Sequence, residues 1–100
     1  MTTLLQFDFD FDGPWGEDLG DACRDLARDI AGQPGLIWKL WGENRGRRRA
    51  GGVYLFKTLH EAEAYVEKHR PRLAAFGVAD PGLSVFDLNL PLSRATRAPL

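Results

Sequence analysis

Two stretches of this chain, LIWKLWGEN (36–44) and GGVYLFKT (51–58), carry apolar side chains on both of their alternating faces. Leu36, Trp38 and Leu40 alternate with Ile37 and Trp41, while Tyr54 and Phe56 alternate with Val53 and Leu55. A strand that is apolar on both sides is one that is covered on both sides. The intervening RGRRRA (45–50) is too short for a crossover and suits the tip of a hairpin. The chain is thus committed to a β-hairpin buried from two directions, and the flanking segments must provide the covers.

On the N-terminal side, TLLQFDFDF (3–11) alternates strictly, with Leu5, Phe7, Phe9 and Phe11 on one face and Leu4, Gln6, Asp8 and Asp10 on the other. DGPWG breaks this strand. Residues 17–31 then place Leu19, Ala22, Cys23, Leu26, Ala27 and Ile30 at steps of three and four, an amphipathic helix stopped by GQPG. After the hairpin, Thr58 followed three residues later by Glu61 forms a capping box. Ala62, Tyr65, Val66, His69 and Leu73 mark one face of that helix, which Pro71 is expected to end or kink near Arg70. LSVFDLNL (83–90) is a last strand, and the tail from Pro91 has no period. The order β-α-β-β-α-β predicts an α+β, ferredoxin-like domain: one four-stranded antiparallel sheet with two helices on one face. The helices cover one side. With no third layer in the chain, a second copy is the expected cover for the other, and two such sheets face to face enclose a dimeric α/β barrel.

The 100 residues fit a single domain, residues 1–100, and thirteen basic against fourteen acidic side chains give a net charge of -1. That balance offers no general attraction to nucleic acid or to an anionic membrane. A single cysteine, Cys23, allows no intrachain disulfide and sits in the apolar stripe of the first helix. No basic region followed by an apolar run marks a signal peptide, and no apolar stretch nears the roughly 20 residues that span a bilayer. A cytoplasmic location is the resulting expectation.

The segment DFDFDG (8–13) matches the first half of an EF-hand calcium loop. The match fails further on. Leu19 stands where the bidentate glutamate is required, Pro14 interrupts the loop, and no helical period precedes it. A metal site on Asp8 and Asp10 also lacks a nearby histidine or cysteine, so no metal is expected. On one strand face the two carboxylates lie about 7 Å apart. Asp8 can be either a poised general base facing a barrel interior or half of an ion pair with Lys39, Lys57 or an arginine. His69, beside Tyr65 and Val66, can take a proton from a phenolic or enolic ligand, or simply be a core histidine bonded to a carbonyl. His60 reads as exposed. Trp38 and Trp41, three apart in one strand, point to opposite faces, so one can line a sheet–helix pocket while the other packs in a subunit interface. RGRRR (45–49) can hold a phosphate group. The near-neutral charge and the lack of interleaved aromatics favour a solvated hairpin tip and no nucleic-acid partner.

The segments LLQFDFDFDGPWG, PGLIWKLWGEN, AGGVYLF, AEAYVEKHRPRL and VFDLNLPLS, in this order and over nearly the whole chain, resemble the YdhR-type putative mono-oxygenase family. Trp38, Lys39 and Trp41 match its W-K-x-W strand. Gly51, Gly52, Tyr54, Leu55 and Phe56 match A-G-G-x-Y-L-F. Tyr65, Glu67, Lys68 and His69 match A-Y-x-E-K-H, and Asp87, Asn89 and Pro91 match the family's ending. Asp8, Asp10, Pro71 and the basic hairpin depart from the family pattern. The resemblance implies a dimeric α/β barrel that uses O2 without a cofactor to oxygenate a small, electron-rich aromatic substrate. A base removes a proton, the substrate anion gives an electron to O2, and the protein supplies desolvation, stacking and hydrogen bonds. On this reading Trp38, Trp41, Phe56 and Tyr65 contact substrate, Tyr54 donates a hydrogen bond, and His69 or Asp8 is the base. A non-catalytic module for a small hydrophobic ligand would use the same pocket. Haem degradation, known in other dimeric α/β barrels, would have only two histidines from which to draw an iron ligand.

Overall fold

The structure, a computed structural model, describes residues 2–100. Its elements are β1 (Thr3–Asp10), α1 (Gly16–Ala22), α2 (Arg24–Ala31), β2 (Leu36–Asn44), β3 (Arg49–Phe56), α3 (Leu59–Ala75), β4 (Gly82–Asp87) and α4 (Leu90–Ala95). The four strands form one antiparallel sheet in the order β2-β3-β1-β4. This is the ferredoxin-like plan expected from the sequence. The odd-numbered residues Leu5 and Phe7 of β1, with Tyr54 and Phe56 of β3, meet Ile30 of α2 and Ala62, Tyr65 and Leu73 of α3 in a single core.

Strand pairing sorts the side chains into rows. On the helix-covered face, Lys39 stands opposite Tyr54 and Tyr54 opposite Leu5; Trp41 stands opposite Gly52 and Gly52 opposite Phe7. On the second face, Trp38, Leu55, Leu4 and Phe86 form an apolar row across all four strands. The next two rows there run Leu40–Val53–Gln6–Ser84 and Gly42–Gly51–Asp8–Gly82.

One β-bulge decides the faces of β2. Leu36 pairs with Phe56 but Trp38 pairs with Leu55, so Ile37 is an extra residue. Simple alternation kept Leu36 with Trp38 and Leu40. The bulge instead turns Leu36 into the core face and leaves Trp38 and Leu40 on the other.

Other boundaries also differ from the sequence reading. The first helix is two, α1 and α2, meeting at Cys23, although the Ala27 N–H still donates to the Cys23 carbonyl at 2.8 Å. Pro71 does not end α3, which runs on to Ala75. Both Pro71 and Glu67, whose carbonyl loses its helical donor, lie on the exposed side, where water can serve that carbonyl. The last strand stops at Asp87, and the tail contains α4, whose N-cap Asn89 accepts from the Leu92 N–H at 3.1 Å with a proline in the first turn. Of the expected Thr58–Glu61 capping box the N-cap half is formed, the Glu61 N–H donating to Thr58 Oγ1 at 3.2 Å, while the Glu61 carboxylate accepts from the Thr58 hydroxyl at 3.0 Å in place of the backbone N–H. No helix among the described residues is long and apolar enough to cross a membrane.

Candidate functional site

A cavity of about 150 Å³ lies between the β2–β3 side of the sheet and the helices. That is the size at which an engineered protein cavity takes up benzene. It exists because β3 is nearly bare here. Ala50 and Gly52 are the floor, while Phe9 of β1 and Lys39 and Trp41 of β2 rise beside them. A side chain at 52 would press on Lys39 Cε, 2.7 Å from an ideal Cβ. Cys23 and Leu26 close the cavity from the α1–α2 junction, and His69 and Leu73 close it from α3.

The polar groups inside this apolar chamber are few. Lys39 Nζ lies 3.3 Å from the centre of the Trp41 ring and 4.6 Å from that of Tyr54. Burial holds its pKa down at about 7, with the Arg72 charge adding to the effect and Cys23 opposing it. None of the ion pairs among the described residues includes Lys39. His69 is only 3% exposed, and burial, helped by the Lys39 and Arg72 charges, lowers its pKa to about 4. Its Nδ1 accepts from Arg72 Nε at 3.2 Å, which leaves Nε2 as the ring's N–H. Arg72 is itself bound by Asp29. The imidazole stacks 5.0 Å from Tyr65 and meets Phe7 edge-on at 5.5 Å.

Tyr65 and Tyr54 join through their hydroxyls at 3.1 Å. Burial raises both phenols, Tyr65 to about 12 and Tyr54 further, so both stay protonated. The Cys23 thiol is likewise pushed up by burial and is not a thiolate.

The structure therefore brings together His69, Trp41 and Tyr54 at the cavity. Phe56 and Tyr65 stand behind it, packed on Tyr54. Trp38 and Asp8 are on the second face. There Arg49 binds both Asp8 and Asp10, its Nη1 donating to Asp10 Oδ1 at 2.7 Å, while Arg48 reaches Asp12 at 3.3 Å. Two arginines of the basic cluster are thus taken by the carboxylates of DFDFDG, and Asp8 and His69 do not share a site. No group of three or more His, Cys, Asp or Glu side chains gathers to hold a metal among the described residues. Lys39 is the site group that the sequence reading did not place in the pocket. Its signal was its spacing: two residues from Trp41, it had to share that residue's face.

A search of known families matches residues 4–99 to the one described as "Putative mono-oxygenase ydhR". Comparison with curated proteins gives no match. Among solved structures, a mutant of SnoaB, a cofactor-independent oxygenase from Streptomyces nogalater, is similar with a TM-score of 0.66 and 12% identity, over 88% of this chain and 93% of that one. A putative antibiotic biosynthesis monooxygenase from Deinococcus radiodurans has a TM-score of 0.55 and 13% identity, over 89% and 93%. At such identities the likeness is one of fold.

Proposed function

Because this chain belongs to the ydhR mono-oxygenase family, we propose that it inserts one atom of O2 into a small, electron-rich aromatic compound without a resident cofactor. The observation that carries this reading is the cavity itself. It is ring-sized and walled by Phe9, Trp41 and Tyr54, and its nitrogens, Lys39 and His69, stand beside rings and aliphatic side chains. Such a site suits an aromatic ring bearing an ionisable oxygen. Desolvation and stacking favour the substrate anion, which then reduces O2 directly. With an anthrone the reaction balances without another reductant. The ring CH2 becomes C=O, one oxygen atom stays in the quinone, and the other leaves as water with the two hydrogens.

Oxygen uptake by chelator-treated protein, offered a panel of anthrones and hydroquinones, tests the proposal once autoxidation without protein is subtracted. Protein-dependent uptake is expected with one oxygen atom gained in the product: an anthraquinone from an anthrone, a hydroxyquinone from a hydroquinone. A plain quinone from a hydroquinone would be oxidation without insertion and would count against the proposal. No uptake, with the same compounds still quenching tryptophan fluorescence, would instead make the domain a binding module for such rings. A Soret shift on adding hemin, and loss of that band with a reductant, would point to haem degradation.

The second face points to a homodimer. Phe86, at the end of the apolar Trp38–Leu55–Leu4–Phe86 row, is 54% exposed, and Leu40 in the next row is 61% exposed. The Trp38 Nε1–H is buried and has no hydrogen-bond partner among the described residues. A second sheet laid on this face would remove the exposed apolar surface and enclose the barrel. Leu40→Asp puts a charge on the β2 edge of that face, in place of its most exposed large apolar side chain. We expect sedimentation to show a dimer for the native chain and a folded monomer for this variant. A native monomer at micromolar concentration would contradict the assembly.

A further inference from the structure

We propose that Lys39 is the proton acceptor of the cavity, and that its ligand is an acidic phenol or enol bound as its anion between the Lys39 ammonium and the His69 Nε2–H. This rests on the reading of the cavity as an aromatic-binding site and adds to it the class of ligand and the base.

Four observations lead there. Lys39 reaches into the chamber over the space that Gly52 leaves open, so its amine is placed among rings. Among the described residues it has no carboxylate partner, so the anion of its ion pair has to come with the ligand. The charged and titratable groups that influence it or share its cavity are Cys23 at the α1–α2 junction, Tyr54 on β3, Glu43 at the cavity's edge, and His69 and Arg72 on α3. Cys23 and Tyr54 are held protonated, and Glu43 accepts from the Gly16 N–H at 2.8 Å. His69 is the obvious rival base, but its acceptor nitrogen is occupied by Arg72, so what it can offer the cavity is a donor.

Burial and the facing rings also act on Lys39 in opposite senses. Burial favours the neutral amine, which can accept a proton. The faces of Trp41 and Tyr54 favour the ammonium once it forms. The step moves one proton and no electrons: the O–H bond of the ligand breaks, an N–H bond forms on Nζ, and an ion pair remains in a water-poor site. Arg72 is a positioning residue in this scheme, fixing which imidazole nitrogen faces the ligand.

The test uses 3-nitrophenol, whose ionised form alone absorbs strongly in the near-visible, at about one pH unit below its own pKa and under nitrogen. Wild-type protein should quench tryptophan fluorescence, produce the phenolate band, and release no proton to a weakly buffered solution, because Lys39 has taken it. Lys39→Met should still quench but give no band. Lys39→Arg keeps a cation with no accessible base form, so it should give the band only with release of a proton. An equal band in Lys39→Met, binding to the wild type without a band, or proton release by the wild type equal to that of Lys39→Arg would each overturn the proposal. If Lys39→Met does not fold, the proton balance of the wild type still decides. No oxygen is involved, so the base assignment can stand while the oxygenase reading fails, or the reverse.

Discussion

Gly51→Val is expected to leave the domain unfolded or nearly so at 25 °C. Gly51 stands opposite Asp8 where β3 pairs with the central strand β1. A side chain at that position would run into the backbone carbonyl of Phe7, and the next neighbours are also backbone atoms of β1. A flexible side chain could swing away; a central strand cannot. The strands would have to part, losing ladder hydrogen bonds worth about 1 kcal/mol each and opening the core around Phe7. A loss of about 4 kcal/mol or more, against a total of roughly 5–15 kcal/mol for a domain of this size, removes a large share of the stability and most of it at the lower end of that range. Far-UV circular dichroism with urea titration reads the effect. Gly20→Ala, where a Cβ meets nothing within 4 Å, is the control and should be neutral or stabilising by up to about 1 kcal/mol. An unchanged urea midpoint for Gly51→Val would mean that β1 and β3 are not paired in this register.

The second large effect is on acid stability. His69 has its pKa lowered from an ordinary 6.5 to about 4 in the folded chain, chiefly by burial. Above pH 6.5 the imidazole is neutral in both states and contributes nothing. As the pH falls below that value the unfolded chain takes up a proton that the folded chain refuses, so stability drops. The drop continues until about pH 4, where the folded imidazole also protonates. At 1.36 kcal/mol per pH unit the full loss is about 3 kcal/mol. Urea unfolding from pH 7.5 to 4 should show this slope in the wild type and lack it in His69→Gln, since the difference between the two chains cancels the carboxylate contributions. Parallel curves would mean that the imidazole titrates normally and is not enclosed as described.

Much of this was legible in the sequence, because the signals were periodic and local. Alternation in residues 3–11 defined β1, the two-sided apolar hairpin defined β2 and β3, and the Thr58–Glu61 box marked the start of α3. What escaped depended on partners distant in the chain. The bulge at Ile37 is a property of the β2–β3 register, and it alone separates Leu36 from Trp38. Pro71 is tolerated inside α3 because the carbonyl it deprives faces solvent, which a helical pattern does not reveal. The short α4 did leave a signal, Asn89 followed two residues later by Pro91, but it is hidden behind the end of an apolar strand. At the site, His69 and Trp41 were legible from their faces. The engagement of His69 Nδ1 by Arg72 left only an i,i+3 spacing within α3, which does not show which ring nitrogen is bound. That of Asp8 by Arg49 was not legible, since the pair is 41 residues apart. Lys39 was visible as part of a motif, but a lysine on a strand reads as solvated until the helix that covers it is known.

The measurement that bears most directly on the account is the isotopic origin of the oxygen in the product. Chelator-treated protein would be given an anthrone under ¹⁸O2, and the quinone examined by mass spectrometry against a sample without protein. The account predicts protein-dependent product carrying a single ¹⁸O atom, with the second atom of O2 appearing as water. Product labelled from water instead, or a yield no greater than autoxidation across the panel, would contradict the mono-oxygenase reading of this cavity.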